Sequence, residues 1–262
     1  MNIAVYQMDI IAGDPEANRK KVRQWLGEQE LGEVDVVMLP EMWTTAYTLP
    51  ELGEIAEDPG DSETIRFLQE AAKRHHVHIM GGSIAVKRNG EVYNRALVID
   101  NTGALVYEYD KMHLVPMLNE PAYLSGGREP VKVFELGGIK MGVVICYDLR
   151  FPEIIRSLAL QGCELLFIPA EWPDSRRNHW DVLSIARAVE NQMYVVTCNR
   201  PGEYDNITFA GSSAFIDPWG NVLQKGSVEH EETLREILDL SNVADVRKNV
   251  PVFDSRVPDL YE

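Results

Sequence analysis

The stretch Gly142-Val143-Val144-Ile145-Cys146-Tyr147-Asp148-Leu149-Arg150-Phe151-Pro152-Glu153 decides how this chain reads. An apolar run of strand character ends at a thiol, and a short turn then reaches a proline suited to the first turn of a helix. Strand, thiol, turn and helix in that order present a nucleophile at the end of a sheet, beside a helix N-terminus that favours the thiolate. A lone cysteine is also commonly a small buried apolar side chain. Cys163, which leads into an apolar run, and Cys198, which ends one, read that way.

Cys146 reads as a nucleophile because of its company. Glu41 closes the apolar run Val36-Val37-Met38-Leu39-Pro40. It is therefore placed at a sheet's C-terminal edge, where ligands and catalysts gather in α/β folds. A partly desolvated glutamate there can move protons near neutral pH, and the plainer alternative is a solvated loop acid. Lys111 follows Val106-Tyr107-Glu108-Tyr109-Asp110. Its ammonium suits the oxyanion of a tetrahedral intermediate, and the plainer alternative is a surface lysine paired with Asp110. His113 reads as structural.

Working outward, the chain alternates strands and helices. Strands are expected over 3–8, 35–39, 77–83, 92–100, 139–145, 165–169 and 194–198. Helices are expected after Asp14-Pro15, after Asp61-Ser62, over 152–160 and over 178–190. Asn101-Thr102-Gly103 and Asp217-Pro218-Trp219-Gly220 read as hairpin turns, the second between strands expected over 209–216 and 221–224. The segment 231–240 fits either a helix or a strand. The pattern is that of a layered α/β fold with mixed sheets. With 262 residues, 45% apolar, and no low-complexity or linker stretch, one domain spanning 1–262 is expected.

The formal net charge of -16 argues against nonspecific binding to nucleic acid or to an anionic membrane, both of which need clustered cations. Three cysteines without a CxxC spacing suit a reducing compartment. The start of the chain reads directly into a strand with no signal-like segment, and no apolar run is long enough to span a bilayer. A cytoplasmic location is expected. His75, His76 and His78 cluster without an acidic or thiol companion, so no metal site is expected there.

Leu39-Pro40-Glu41, Tyr109-Asp110-Lys111-Met112-His113-Leu114 and the Cys146–Glu153 stretch together resemble the three signature blocks of the nitrilase superfamily, the carbon–nitrogen hydrolases. Gly81-Gly82-Ser83, Tyr93-Asn94, Arg187-Ala188-Val189-Glu190-Asn191-Gln192 and Cys198-Asn199-Arg200 follow the same family order, so the resemblance covers nearly the whole chain. It implies a four-layer α-β-β-α sandwich and a Glu41, Lys111, Cys146 catalytic set. A second glutamate, matched best by Glu120, would hold Lys111, and the Tyr147 backbone N–H would serve the oxyanion. It also implies no metal or organic cofactor, and a homodimer formed through the helix carrying Arg187 to Gln192.

The blocks and the short loop around Glu120 look most like the ω-amidase branch, which hydrolyses the terminal amide of 2-oxoglutaramate or 2-oxosuccinamate. Such a substrate carries a carboxylate, for which Arg150 is the nearest cation. Arg150 reads equally well as an ion-pair partner of Asp148 or Glu153. Trp172 could wall the pocket, and Arg176, Arg177 and His179 lie just beyond. Other family activities (nitrilase, aliphatic amidase, N-carbamoyl amino-acid hydrolase) and a silent binding scaffold remain as alternatives. A Cys-His hydrolase explains fewer of the residues.

Overall fold

The computed structural model describes residues 1–261; Glu262, the last residue of the expected single domain, lies outside the described residues. Two six-stranded mixed sheets dominate. The first comprises β1 (Asn2–Gln7), β2 (Val36–Met38), β3 (His78–Arg88), β4 (Glu91–Ile99), β5 (Leu105–Asp110) and β14 (Glu232–Ile237), in the order β14-β1-β2-β3-β4-β5. The second comprises β6 (Phe134–Leu136), β7 (Ile139–Val143), β8 (Leu165–Ala170), β9 (Tyr194–Asn199), β12 (Ala214–Ile216) and β13 (Val222–Lys225), in the order β13-β12-β9-β8-β7-β6. A small hairpin of β10 (Glu203–Tyr204) and β11 (Ile207–Thr208) stands apart.

Each sheet has a parallel centre, β1-β2-β3 in one and β7-β8-β9 in the other, flanked by antiparallel strands. Parallel centres need both faces covered, which explains their unbroken apolar runs. Alternation sorts the faces. Ile3, Val5, Val36 and Met38 meet Val143, Leu165, Phe167 and Val196 in the core between the sheets. Ala4, Tyr6, Val37 and Ile79 face outward onto α1 (Pro15–Glu28) and α3 (Glu63–His75), through Val22, Trp25, Leu26 and Leu68. The short α2 (Leu52–Ile55) lies between those two helices in the chain. On the far side, α4 (Pro152–Leu160) and α5 (Arg177–Asn191) cover the second sheet through Ile155, Leu158, Trp180 and Ala188. The result is the α-β-β-α sandwich.

The helix starts follow the sequence cues. Asp14 Oδ1 accepts the Ala17 N–H at 2.9 Å, with Pro15 in the first turn. Ser62 Oγ accepts the Ile65 N–H at 3.0 Å. The segment 231–240 resolves as strand β14, antiparallel to β1, with Leu234 and Leu238 buried. The long-range pairing with β1 settles what local composition leaves open. Beyond it, α6 (Ser241–Asn249) was not anticipated. The strand expected over 209–216 is shorter, covering only Ala214–Ile216, because Ser212 takes a left-handed backbone and Phe209 bridges instead to Pro173.

The topology brings one set of strand ends together. Strands β2, β3 and, after two antiparallel reversals, β5 finish at one edge of the first sheet, while β7, β8 and β9 finish at one edge of the second. The two edges meet, since the Glu171 N–H after β8 donates to Glu41 Oε2 after β2 at 2.7 Å.

Candidate active site

Glu41 leaves β2 in a loop that folds back sharply. Met42 and Ala46 take positive φ, and Gly81-Gly82-Ser83 on β3 clamps the turn. Ser83 N–H donates to the Pro40 carbonyl at 3.1 Å, and Met42 N–H donates to Ser83 Oγ at 3.0 Å. Gly82 sits so close that a Cβ there would lie 2.0 Å from the Pro40 carbonyl oxygen, so only glycine lets the loop approach. Lys111 is held in the same manner. Gly127 N–H donates to the Lys111 carbonyl at 2.8 Å, and a Cβ on Gly127 would meet the Asp110 carbonyl oxygen at 2.1 Å.

These clamps put Glu41, Lys111 and Glu120 in one fully buried cluster. Lys111 Nζ donates to Glu120 Oε1 at 2.8 Å, to Glu41 Oε1 at 2.9 Å and to Tyr47 Oη at 3.1 Å. Tyr47 Oη lies 2.8 Å from Glu41 Oε1 and 2.6 Å from Glu120 Oε1. It has one proton, so it donates to one carboxylate at a time. Asn94 Nδ2 donates to Glu41 Oε1 at 2.8 Å, and the Val115 N–H donates to Glu120 Oε2 at 2.7 Å. Burial pulls the Lys111 ammonium down, but the carboxylates of Glu120 and Glu41 outweigh it and hold it well above its ordinary value. Burial and the same carboxylates push the Tyr47 phenol up.

Cys146 ends the apolar run at φ +48, in the left-handed region, and opens a 3-10 turn, Cys146–Arg150, that leads into α4. A non-glycine residue in that region is strained and is retained where the surroundings over-determine it. The restraint comes from Asp148, fully buried, which accepts from Tyr109 Oη at 2.8 Å, Ile145 N–H at 3.0 Å and His113 N–H at 3.0 Å. His113 Nδ1 lies 2.8 Å from the same carboxylate, and its ring stacks on Phe151 at 3.5 Å. Asp148 thus ties the turn bearing the thiol to the segment bearing the lysine. The first N–H groups of a helical turn have no carbonyl within it, and the Tyr147 N–H has no acceptor among the described residues.

The thiol differs from expectation in its ionisation. A neighbouring cation and a helix start would favour thiolate, yet Cys146 is pushed well above the ordinary thiol range. Burial is the largest cause and the Glu41 carboxylate the next, while Lys111 acts against them. Lys111 is shared among two carboxylates, so the cluster presents net negative charge to the sulfur. The resting sulfur is a thiol, and attack by it would need a base.

Cys146 opens onto a narrow cleft lined also by Tyr147, Arg150, Glu171, Trp172 and Arg176. Arg150 forms neither of the ion pairs considered from sequence. Its guanidinium lies 4.5 Å from the Trp172 ring centre and 5.6 Å from that of Tyr147, with Nη1 3.3 Å from His179 Nδ1. Its Nε is buried without a partner among the described residues. Burial, joined by the Arg176 charge, lowers its pKa. Trp172 is buried, and its Nε1–H donates to the Arg176 carbonyl at 2.9 Å. Arg177 instead pairs with Asp174 at 3.3 Å. A larger groove beside β5, lined by Arg95, Asp110 and Arg128, contains no cysteine. Among the described residues no group of three or more His, Cys, Asp or Glu is placed to hold a metal. No helix among them is long and apolar enough to cross a membrane.

Tyr47 and Glu171 were not read from sequence. Tyr47 sits in an irregular loop with no periodicity to reveal its direction. Glu171 did carry a signal, since it follows a buried strand through Pro169-Ala170 as Glu41 follows one through Leu39-Pro40. Burial pushes the Glu171 carboxyl up to about 8, with Glu41 adding to this and Arg200 opposing it. The native state therefore holds a proton that the unfolded chain releases near the ordinary carboxylate range, and stability falls as pH rises from there towards 8. Glu171→Gln should flatten that slope, by at most about 1.4 kcal/mol per pH unit. Thermal melts of both proteins between pH 5 and 8 would show it, and parallel curves would contradict it.

The carbon-nitrogen hydrolase family model matches residues 2–248. The chain is 46% identical to the 2-oxoglutaramate amidase of Bacillus subtilis, over 99% of this chain and 98% of that protein. It is 35% identical to the omega-amidase NIT2 of Danio rerio, over 86% of this chain and 84% of the relative. Among solved structures it resembles XC1258 from Xanthomonas campestris, a CN-hydrolase superfamily protein with an arsenic adduct in its active site. The TM-score is 0.90 at 31% identity, over 98% of this chain and 97% of the other. A match over nearly the whole chain, in sequence and in fold, places this protein in the carbon–nitrogen hydrolase family of the nitrilase superfamily, as an amidase-type enzyme.

Proposed function

We propose that this enzyme releases ammonia from the ω-amide of a small 2-oxo dicarboxylate, 2-oxoglutaramate or 2-oxosuccinamate, through a thioester on Cys146. The observation that carries this reading is the cleft itself. A buried cysteine backed by Glu41 and Lys111 lies at one end, and beside it lies the guanidinium of Arg150, which pairs with no carboxylate among the described residues and whose Nε has no partner there. A molecule with an amide at one end and a carboxylate at the other complements both. The named activities of the B. subtilis and D. rerio relatives support the same substrate class.

In this mechanism Glu41 accepts the Sγ proton as sulfur attacks the carboxamide carbon. The oxyanion is held by the Tyr147 N–H and by Lys111 Nζ, which releases its longest contact, to Tyr47 at 3.1 Å. One such donor is worth roughly 3 kcal/mol in the transition state. Glu41 passes the proton to the amide nitrogen, the C–N bond breaks and ammonia leaves. Water then gives a proton to Glu41 and attacks the thioester carbon. The C–S bond breaks, and the sulfur recovers the proton from Glu41 as the acid departs. Glu120 fixes Lys111, and no metal or organic cofactor takes part.

The same reading includes a single domain, a cytoplasmic location and a homodimer formed through α5. Arg187 on that helix donates from Nε and Nη2 to the Leu149 carbonyl at 3.0 and 2.8 Å, joining the helix to the turn of Cys146. Sedimentation at micromolar concentration tests the dimer, and a monomer there removes it.

The substrate is tested by ammonia release from 2-oxoglutaramate, 2-oxosuccinamate, glutamine, N-carbamoyl-alanine, a simple aliphatic amide and a nitrile. Fast turnover confined to the oxo-amides is the expected result. Preferred turnover of any other compound overturns the substrate assignment. Arg150→Met should raise KM for 2-oxoglutaramate roughly ten- to hundredfold, the worth of a charge-assisted hydrogen bond, and leave KM for a neutral amide unchanged. Equal effects on both would mean that Arg150 shapes the cleft without reading the carboxylate.

A further inference from the structure

Glu171 is a fully buried carboxyl group for which the mechanism above has no use. Two of its polar atoms are engaged. Its backbone N–H donates to Glu41 Oε2, and its Oε2 accepts from Arg200 Nη1 at 3.1 Å. Arg200 is anchored independently, to Asp9 Oδ1 at 2.9 Å and the Ile10 carbonyl at 3.0 Å, and stacks over Phe209. The remaining oxygen, Oε1, is buried and has no partner among the described residues. The residue lines the cleft that holds Cys146. A buried carboxyl oxygen without a partner is costly, and a fold tolerates it where a ligand supplies the missing donor.

The donor can be deduced from what the rest of the site already does. Glu41 is largely engaged: Oε1 meets Lys111, Asn94 and Tyr47, and Oε2 accepts the Glu171 N–H. Its remaining capacity is needed for the travelling proton. Lys111 and the Tyr147 N–H are donors, suited to the substrate oxygen. The two N–H bonds of a carboxamide therefore lack an acceptor at the site. Of the buried side-chain atoms without partners, those on residues lining this cleft are Arg150 Nε, a donor, and Glu171 Oε1, an acceptor.

We infer that Glu171 is a substrate-binding residue whose Oε1 accepts an N–H of the reacting carboxamide, orienting the leaving nitrogen toward Glu41 and selecting primary amides over esters. This rests on the reading that Cys146 attacks a carboxamide, and it adds the group that recognises the nitrogen. Arg200 is a positioning residue, since it fixes the carboxyl through Oε2. An N–H at Oε1 favours the ionised form, so amide binding opposes the burial that raises the Glu171 pKa in the free site and displaces the proton held there.

The test uses Cys146→Ala protein, which binds without turnover, with 2-oxoglutaramate and 5-methyl 2-oxoglutarate as probes in calorimetry. Adding Glu171→Gln keeps an acceptor for Arg200 but presents an NH2 group where the substrate presents its own. The expected result is an amide Kd raised at least tenfold and an ester Kd changed less than twofold. Equal weakening of both probes, or no change in either, overturns the assignment. If the double variant fails to fold, Glu171→Asp retracts the carboxyl by one methylene. It should then weaken the amide alone, and a matching loss for the ester counts against the proposal. A wild-type enzyme that releases no ammonia from any amide in the panel refutes the substrate reading, while the amide-to-ester binding ratio still decides the role of Glu171.

Discussion

Replacing Cys146 by alanine should lower ammonia release from the best amide by at least about ten-thousand-fold and leave the fold intact. Removing the nucleophile of a covalent mechanism leaves only binding and oxyanion stabilisation, and losses of that size or larger are usual. The fold should survive because the thiol makes no hydrogen bond that shapes the turn. Asp148 fixes the turn through Ile145, Tyr109 and His113. Alanine meets the same left-handed backbone with a smaller side chain, so a melting temperature within a few degrees of wild type is expected. In wild type, a quenched reaction should yield a Cys146 peptide heavier by the acyl group. Turnover persisting in the variant would remove the thioester mechanism altogether.

Lys111→Met should produce the largest loss of stability. The substitution keeps an unbranched apolar side chain reaching to Cε and removes the ammonium that faces Glu41 and Glu120 at 2.9 and 2.8 Å, with all three side chains fully buried. Breaking a buried ion pair by deleting one partner typically costs 3–5 kcal/mol, which for a chain of this size lowers the melting temperature by roughly 10 °C. Two buried carboxylates then share one site, so one of them takes up a proton that the unfolded chain lacks near neutral pH. The native state then binds more protons than the unfolded state above the ordinary glutamate range, so stability falls as pH rises. Melts between pH 5 and 8 should be steeper for the variant than for wild type. Adding Glu120→Gln should restore part of the stability, because it removes the repulsion that Lys111 balances. An unchanged melting temperature in Lys111→Met would mean that the ammonium is not what holds the carboxylates together. Activity should be lost in both variants, since Glu120→Gln supplies no cation for the oxyanion.

Local sequence carried the elements and the faces. Period-two and period-3.6 apolar patterns identified the central strands and helices, because burial on both faces of a parallel sheet leaves unbroken runs such as 165–169. Caps at Asp14 and Ser62 and the prolines after them marked helix starts, since those contacts span only a few residues. Glu41, Lys111, Glu120 and Cys146 were legible because each stands at a strand end or in a signature block. Chain direction alone puts the ends of β2, β5 and β7 at sheet edges.

The fold alone decided what those residues face. The pairing of 232–237 with β1 depends on hydrogen bonds across more than 200 residues, and local composition favours helix as well as strand there. Tyr47 and Glu171 enter the site through close approaches set by Gly82 and by the meeting of two sheet edges, and nothing nearby in sequence encodes either distance. The ionisation of Cys146 is likewise a property of the assembled cluster. The sequence supplies a cysteine, a lysine and glutamates, but their burial and the sharing of one cation between two carboxylates determine that the resting sulfur keeps its proton. Sequence thus determined which chemical groups this protein has and which strand ends carry them. Tertiary structure decided their distances, burial and charge balance, because those quantities depend on contacts between residues far apart along the chain.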